Sequence, residues 1–562
     1  MGFWRNCAPA SGRRGTLLAM DRGALMAGVL DHLAAGTAEI AIDECVAAWE
    51  ADGDPAALGL AGVAGFWRGD FADATARAAE GLAAAADDDA RAVCAAALSL
   101  AATGDEFTDP GDAWTVARDL VGTAAAPGSP WWSCVRYLVA EAAMVSVRID
   151  DTAAVHRSGP APAAAWAGHP FAPLMVICQV REATFSGRVD DALGLLGPMM
   201  ETVVPGTRVA DLIGSVAALV HGFAGDDAGV EVSLPVARHV PDTPHDYIDR
   251  GALMLLAYGA MAVGDAATSA AMTFRAGADE DLSRCTIIDR ALGLEILLIS
   301  ALEEGDDEAA AAWLVGLGRL AGHPIADTVV LRGQARHALA SGDPEAAIEF
   351  AKRSVELSVA AGRQFEVADG DLLVARAQLA LSEPGAASRT LRTLVAESDR
   401  TGHAAVRRSA TAALAASGRR LPPIAGGGWS ALSAREAEVA RAILAGRGVE
   451  EIAMELHLSP GTVRTHISRV LCAFGVATRV GLLAAVGRIE GAAPPTTPAL
   501  SPRQAEVAAL VAAGRTNKQV AAELGIAVKS VEKHLGDIRS RWDAGSRFEV
   551  ARIWWGSGTA PR

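Results

Sequence analysis

The sequence predicts an all-α protein in which an α-solenoid is followed by two small four-helix domains. Ala and Leu, which are strong helix formers, are abundant. Gly-Asp pairs recur through the first 420 residues, and a segment near the C-terminal end is duplicated. The predicted organisation is a disordered N-terminal segment (1–20), a helical-repeat sensor or interaction domain (21–420), a linker (421–431), a first module (432–490), a second linker (491–499) and a second module (500–556).

The Gly-Asp pairs predict tight helical hairpins. The pairs stand at residues 69–70, 225–226, 264–265, 305–306 and 342–343. From Gly187 onward the glycines lie 37 to 41 residues apart. Gly readily adopts the left-handed conformation that ends a helix, and Asp caps the helix that follows. Five positions after the Gly a small residue is frequent, which would let the two helices approach closely: Ala74, Ala192, Ser269, Ala310 and Ala347.

Repeats of this length, each built from a pair of helices, are typical of α-solenoids. The best unit, residues 331–355, resembles a degenerate tetratricopeptide repeat in which most of the aromatic positions are missing. This resemblance implies a concave surface that binds a partner. An irregular helical bundle is the alternative.

The net charge of −17 argues against nucleic-acid binding by the chain as a whole, but the charge is unevenly distributed. Residues 432–489 contain seven Arg and five Glu, and residues 500–556 contain nine basic and six acidic residues. Phosphate neutralisation is local, since it acts within one Debye length, about 8 Å in cells. A slightly basic C-terminal end on an acidic body is therefore compatible with DNA binding.

The seven cysteines occur singly and form no Cys-x-x-Cys pair. This pattern predicts neither a zinc site nor a disulfide framework and favours the cytoplasm. No run of about 18 uncharged apolar residues predicts a membrane span. Asp21 and Arg22 interrupt the apolar segment that follows Thr16, which argues against a signal peptide, and Met20 is a candidate for the true first residue.

The motifs of several common enzyme classes are absent. No Gly-x-x-x-x-Gly-Lys-Ser/Thr occurs, and none of the four lysines follows a Gly. Neither Gly-x-Ser-x-Gly nor His-Glu-x-x-His is present. The acidic run at residues 306–308 fits a helix start better than a catalytic pair. We therefore expect no enzymatic activity, no nucleotide hydrolysis, no cofactor and no metal.

The C-terminal end contains an internal duplication. Aligned without a gap at an offset of 68, the segment from Leu432 matches the segment from Leu500 at sixteen positions. Each copy opens with a capping-box pattern, at residues 433–436 and 501–504. Four short helices are predicted in each copy.

The second and third helices of each copy predict a helix-turn-helix motif. Apolar residues of the third helix recur at i, i+4, i+7 and i+11 and are expected to be buried: Val463, Ile467, Val470 and Phe474 in the first copy, and Val531, Leu535, Ile538 and Trp542 in the second. The opposite face is polar. A short turn between two helices, the second with a polar outward face, is typical of DNA-reading motifs.

These modules resemble the LuxR-type (GerE-like) helix-turn-helix. The motifs that carry the resemblance are Leu432-Ser-x-Arg-Glu-x-Glu-Val, Thr462-Val-Arg-Thr-His466 and Thr478-Arg479 in the first copy, and Leu500-Ser-Pro-Arg-Gln-x-Glu-Val, Ser530-Val-Glu-Lys-His534 and Ser546-Arg547 in the second. In that family the third helix enters the major groove and the fourth can mediate dimerisation. Large LuxR regulators often carry an ATPase before their helical repeats, and this chain resembles such a regulator without the ATPase.

The resemblance implies which residues contact DNA. Base-edge contacts would be made by Arg464, Thr465 and Ser468 in the first module and by Glu532, Lys533 and Gly536 in the second. Candidates for phosphate contact are Thr462, Asn517, Lys518, Lys529 and Ser530. Arg can pair with guanine, and Lys can reach guanine or phosphate.

The two copies depart from the family pattern at different positions. In the first, residues 448–449 are Gly-Val where the family has Ser-Asn, and residues 472–473 are Cys-Ala where a basic pair is usual. The second retains Thr-Asn at residues 516–517 but has Ala527 where Ser or Thr would cap the third helix. Either copy could have become a structural module without DNA binding, and the first departs further.

The sequence therefore predicts a bacterial, sequence-specific DNA-binding transcriptional regulator. Double-stranded DNA is the expected partner of the modules, and a protein or small-molecule effector is the expected partner of the helical repeats, with RNA polymerase as a further candidate and no membrane contact. The alternative is a protein-interaction scaffold with vestigial helix-turn-helix modules. Retention of Asn517, Lys518 and Lys533 favours the regulator.

Overall fold

The computed structural model describes residues 21–104, 111–159, 166, 169, 171–201, 205–277, 279, 281–416, 428–476, 478–486 and 498–556. The predicted disorder of residues 1–20, the question of Met20, and the linker segments 421–427 and 491–497 lie outside these residues. The described residues form α-helices and short 3-10 helices and contain no strand, which confirms the all-α prediction. The chain divides into two compact units, residues 1–419 and 420–562.

The first unit is a succession of short helices. Its described α-helices are α1 (Arg22–Ala35), α2 (Ala38–Asp52), α3 (Pro55–Arg68), α4 (Phe71–Ala84), α5 (Asp88–Ala101), α6 (Ala113–Thr123), α7 (Pro130–Val145), α8 (Ile149–Arg157), α9 (Ala172–Phe185), α10 (Val189–Glu201), α11 (Arg208–Ala224), α12 (Asp227–Ser233), α13 (Tyr247–Ala262), α14 (Ala266–Gly277), α15 (Ile287–Glu304), α16 (Asp307–Gly318), α17 (Asp327–Ala340), α18 (Pro344–Ala360), α19 (Gln364–Ala380), α20 (Pro384–Thr401) and α21 (Ala404–Ala416). A 3-10 helix, Leu234–Arg238, follows α12.

The Gly-Asp pairs form the predicted hairpin turns. Their glycines all have φ between 72° and 89°: Gly69, Gly225, Gly264, Gly305 and Gly342. At four of the five pairs the Asp carboxylate accepts a backbone N–H from the first turn of the next helix, at 2.9–3.0 Å. Asp70 is the exception, because its carboxylate lies 2.7 Å from Nε of Arg68 instead.

The small residues that follow each turn lie in the contacts between helices, as predicted. All five are buried: Ala74, Ala192, Ser269, Ala310 and Ala347. A Cβ placed on Gly65 of α3 would lie only 3.1 Å from that of Ala74 on α4, so the two backbones are close together. Ser269 adds a hydrogen bond, since its hydroxyl donates to the carbonyl of Ala257 on the preceding helix at 2.8 Å.

The helices stack in the manner of an α-solenoid. In the second half of the unit each of the helices α15 to α20 packs against the helix that follows it, and α15, α17, α19 and α21 also pack against one another in order. In such an array each repeat buries its apolar face against its neighbours. The predicted solenoid is therefore confirmed over the irregular bundle.

The helices α15, α17 and α19 meet at a buried ionic network. Arg332 of α17 has a side chain that is only 1% exposed, and it lies 2.7 Å from Glu295 and 2.9 Å from Glu366. Its Nε is 3.2 Å from Asp369. The carboxylates of α15 and α19 thus hold the central helix from both sides.

The second unit contains eight described α-helices, four in each module. They are α22 (Ala434–Leu444), α23 (Val449–Glu455), α24 (Pro460–Ala473), α25 (Arg479–Val486), α26 (Pro502–Ala512), α27 (Asn517–Leu524), α28 (Val528–Trp542) and α29 (Arg547–Gly556), preceded by a 3-10 helix, Gly428–Ala431. None of the helices described in either unit combines the length and the apolar character needed to cross a bilayer.

Candidate nucleic-acid interface

Matching caps fix the first helix of each module. In α22 the hydroxyl of Ser433 accepts the N–H of Glu436, and the Glu436 carboxylate accepts the N–H of Ser433. Ser501 and Gln504 form the same reciprocal pair at the start of α26. The predicted capping boxes are therefore confirmed, and each satisfies backbone donors that a helix start would leave unpaired.

An arginine ties this first helix to the end of the second helix in both modules. Arg503 donates from Nη2 to the carbonyl of Leu524 at 2.6 Å, and Arg435 donates in the same way to the carbonyl of Leu456. The two arginines are equivalent under the offset of 68. The duplication thus extends from sequence to hydrogen bonding, and it sets the turn before the third helix in the same way twice.

The two modules pack on each other and share one apolar core. The fourth helix of the first module, α25, contacts both α26 and α29 of the second. Leu482 and Leu483 of α25 are fully buried, as are Val550 and Ala551 of α29. The sequence had predicted separate modules joined by a linker, and it did not reveal this contact.

The contact is reciprocal at its edges. A Cβ placed on Gly514, after the first helix of the second module, would lie 3.5 Å from Cα of Gly481 in the fourth helix of the first. The equivalent Gly446 of the first module lies beside Arg552 in the fourth helix of the second. A Cβ placed on Gly446 would lie 3.6 Å from Nε of Arg552. Such use of equivalent surfaces is characteristic of two-fold related subunits.

The third helices, α24 and α28, start differently. The hydroxyl of Ser459 accepts the N–H of Thr462 at 3.1 Å and so caps α24. Ala527 stands at the equivalent position before α28 and supplies no side-chain cap, as its sequence implied. The first turn of α28 therefore lacks one hydrogen bond that the first turn of α24 has.

The apolar face of each third helix is less completely buried than the sequence predicted. The buried residues are Val463, Ile467, Val470, Val531 and Ile538. Phe474, Leu535 and Trp542 are half-buried at the edge of the core, which corrects the prediction. The two aromatic rings face the segment that precedes each first helix: Phe474 packs edge-on against Trp429, and Trp542 donates from Nε1 to the carbonyl of Pro498.

The predicted contact residues of the first module all lie on the surface. Thr462, Arg464, Thr465 and Ser468 are exposed on α24. The Arg464 guanidinium is 3.6 Å from Glu450, and both side chains are largely exposed. Because exposed pairs contribute little free energy, Glu450 leaves this guanidinium available to another partner, although it lowers the local positive charge.

The second module presents a more basic surface. Four predicted contact residues stand at i, i+3, i+4 and i+7 of α28 and are exposed: Lys529, Glu532, Lys533 and Gly536. Ser530 is half-buried, and Lys518 is exposed in the first turn of α27. The ion pairs of the second module join arginines to glutamates. No lysine takes part in an ion pair among the described residues. Its three ammonium groups therefore face solvent unpaired.

Asn517 has a partner that sequence reasoning missed. Its side chain is half-buried, and its Oδ1 accepts from Nη1 of Arg547 at 2.6 Å. Arg547 also donates to the carbonyl of Arg515. The Asn517 amide nitrogen thus remains free to donate, and Arg547 is a positioning residue for it. The same arginine stands at equivalent positions of the two copies, as Arg479 and Arg547, and this identity could have indicated its role.

Two arginines near the end of α28, Arg539 and Arg541, have an internal role. Arg539 donates from Nη2 to the carbonyl of Gly545 at 2.5 Å, closing the turn into the last helix. Arg541 donates to the carbonyl of Ala499 at 3.1 Å. Both guanidinium groups are bound to backbone carbonyls of the C-terminal unit.

Two solved structures align with much of the chain at low similarity. The crystal structure of the APC/C hetero-tetramer Cut9-Hcn1 aligns over 71% of this chain and 93% of its own, with 12% identity and a TM-score of 0.26. The structure of Naa15/Naa10 bound to HypK-THB aligns over 96% of this chain and 100% of its own, with 12% identity and a TM-score of 0.19. Scores this low support no conclusion about fold or function.

Sequence comparison identifies the modules. Residues 430–485 and 498–554 match the GerE family, described as bacterial regulatory proteins of the luxR family. The probable transcriptional regulatory protein NarL of Mycobacterium tuberculosis, in strains CDC 1551 / Oshkosh and ATCC 25618 / H37Rv, is 39% identical over 66 residues. That alignment covers 12% of this chain and 29% of the relative, so the chain spans less than a third of the length of these relatives. The C-terminal unit therefore consists of two consecutive helix-turn-helix domains of the LuxR family.

Proposed function

We propose that the chain is a sequence-specific DNA-binding transcriptional regulator. The observation that carries this proposal is the exposed face of α28, on which Lys529 and Lys533 have no ion-pair partner among the described residues. Ammonium groups on such a helix neutralise phosphates and donate to base edges. Three of the four lysines of the chain lie between residues 518 and 533, although the net charge is −17. This concentration matches a phosphate-binding surface.

We further propose that one chain binds a bipartite site. The third helices of the two modules, α24 and α28, belong to one compact unit with a shared core. In this proposal the two modules take the place of the two subunits of a helix-turn-helix dimer. Such dimers bind half-sites about 34 Å apart. Because the two modules share a core, the spacing of the third helices is set by that packing and not by the length of the predicted linker. A second chain is then not required for cooperative contact with both half-sites.

The test uses sites recovered by genome-wide footprinting of the tagged chain, followed by titration of each variant at fixed salt. Lys533→Ala should weaken binding by about 1–3 kcal/mol, the usual value of a base contact. Lys352→Ala is the matched control, because Lys352 is an exposed lysine of α18 in the first unit. Equal affinities of the two variants would contradict the proposal.

The second module should dominate the affinity, and the first should assist. The second has the larger excess of basic residues and holds Asn517 in place, whereas Arg464 of the first shares its charge with Glu450. Arg464→Ala should therefore cost less than Lys533→Ala and should narrow the footprint to about one half-site. If Arg464→Ala abolished DNA binding while Lys533→Ala left it unchanged, the ranking of the two modules would be reversed.

A protein-interaction scaffold is the second candidate function. Glu450 beside Arg464 favours it for the first module, since a carboxylate near the reading helix repels phosphate. Unchanged DNA affinity in both variants would support the scaffold. In the regulator proposal, the solenoid senses a protein or small-molecule effector and the modules carry the response to DNA.

A further inference from the structure

All the tyrosines of the chain line one cavity. The sequence contains three, and Tyr137 of α7 with Tyr247 and Tyr258 of α13 border a cavity of about 90 Å³ within the first unit. Most of the remaining wall is aliphatic, with Leu174 and Ile177 of α9 as examples. Buried Tyr residues offer an apolar ring together with a polar end, which suits a site that must both enclose and orient a ligand.

In one group of polar side chains in the wall, the carboxylate has its donors within the group. The Tyr247 hydroxyl donates to the Glu141 carboxylate at 2.7 Å, and Arg181 donates to the same oxygen. Tyr137 is only 3% exposed and adds a further phenol to this wall.

Asp289 leaves one charge in the wall without a counter-ion. Its carboxylate accepts from the Tyr258 hydroxyl at 2.8 Å and from the Thr286 hydroxyl at 2.7 Å. It takes part in no ion pair within the described part of the chain, whereas the other carboxylates of the wall, Glu141 and Glu366, each have an arginine partner. Asp289 is half-buried, and two neutral donors compensate such a carboxylate less well than a cation does.

The cavity adjoins a second chamber of about 240 Å³. The two share four lining residues: Phe185, Tyr258, Leu292 and Phe365. Cavities of about 150 Å³ hold benzene, so the second chamber is large enough for a single ring and the first is smaller. His403 of the second chamber is 6% exposed and its Nε2 has no hydrogen-bond partner; burial lowers its pKa to about 4, so the ring is neutral at pH 7.

We propose that this site binds a small organic cation with a compact, ring-sized apolar body. Asp289 supplies the counter-charge, and the three tyrosines contribute aromatic rings and hydroxyl groups to the same wall. The two arginines of the wall, Arg181 and Arg363, lie within ion-pair distance of Glu141 and Glu366, so Asp289 is the charge left for a ligand. We assign this cation as the effector of the solenoid; only that role rests on the proposed regulator, because binding to the cavity does not involve DNA.

Three ring compounds of similar size test the chemistry. Isothermal titration of the full chain at neutral pH should give the tightest binding for benzylamine, a cation, weaker binding for benzyl alcohol and none for benzoate. Asp289→Asn should weaken benzylamine binding about tenfold and change benzyl alcohol binding less than about twofold, since it removes the charge and keeps the shape. Equal affinities for benzylamine and benzyl alcohol, or no binding of benzylamine, would overturn the proposal.

A cavity-filling variant tests the location. Gly251 of α13 lines the cavity, and a Cβ placed on it would meet only Leu212 at 3.9 Å, so Gly251→Leu extends into the space and should abolish binding. Gly194→Leu is the matched control, because Gly194 is exposed on α10 with open space around it. Undiminished binding by Gly251→Leu would place the ligand elsewhere and refute the site.

The effector role has its own readout. Benzylamine at saturation should change operator affinity in the wild type and leave it unchanged in Gly251→Leu. Binding without any effect on DNA affinity would refute the effector role while leaving the cation site intact. Loss of DNA binding in every condition would instead refute the regulator, and the calorimetric result would stand on its own.

Discussion

Replacing Arg332 should destabilise the solenoid far more than replacing an exposed arginine. Removing one partner from a buried ionic network leaves uncompensated charge and costs about 3–5 kcal/mol. In Arg332→Ala, Glu295 would keep Arg336 at 3.0 Å, and Glu366 would keep the hydroxyl of Thr328. Because both carboxylates retain one donor, we expect the lower end of that range, about 3 kcal/mol.

Arg353 provides the matched control on a neighbouring helix. Its side chain is 61% exposed and pairs with Glu356 at 3.1 Å along α18. Exposed pairs of this kind contribute about 0.2–1 kcal/mol, so Arg353→Ala should have little effect. Arg332→Lys adds a second comparison: it keeps the charge but loses the planar fork that reaches both Glu295 and Glu366, and it should fall between the two alanine variants.

Hydrogen exchange followed by mass spectrometry on the full chain measures the effect locally. Peptides from Asp327–Ala340 and Gln364–Ala380 report the opening free energy of the helices that carry the network. In Arg332→Ala both should lose protection by about 3 kcal/mol, while peptides of the second unit keep theirs. An equal loss in Arg332→Ala and Arg353→Ala would refute the assignment of the network as a buried, interdependent set.

Three further predictions concern local stability. Ser459→Ala should destabilise α24 by about 1 kcal/mol and Ala527→Ser should stabilise α28 by a similar amount, which hydrogen exchange in these helices can measure; unchanged protection in both would show that the cap is unimportant. Burial lowers the pKa of His403 to about 4, so the unfolded chain takes up the proton first as the pH falls, and the first unit should lose up to about 3 kcal/mol between pH 6.5 and 4. His403→Phe should reduce this pH dependence in denaturant titrations, and an unaltered pH profile would assign it to other groups. Gly259→Ala would place a Cβ 2.5 Å from a backbone oxygen of α11 and should lower the unfolding midpoint, by about 1–3 kcal/mol in free energy; an unchanged midpoint would show that the helices can separate at no cost.

The parts of the fold that could be predicted from sequence are those set by short-range rules. A Gly followed by Asp specifies a left-handed residue and an N-cap, and both were found at residues 225–226, 305–306 and 342–343. The capping boxes of the modules depend on only four consecutive residues each. Even the missing cap at Ala527 could be read directly, because the hydrogen bond requires a side-chain oxygen at that one position.

The features that escaped prediction depend on contacts between distant segments. Tyr137 and Tyr258 lie 121 positions apart in the sequence, and no local pattern indicates that the solenoid brings both to one cavity. The packing of α25 against α29 is similar, since the apolar residues of either helix could equally have been buried within their own module. Such choices are decided by which surfaces remain uncovered once each repeat has folded. Functional sites formed between repeats are therefore hidden from sequence patterns, whereas those on a single helix, such as the face of α28, are not.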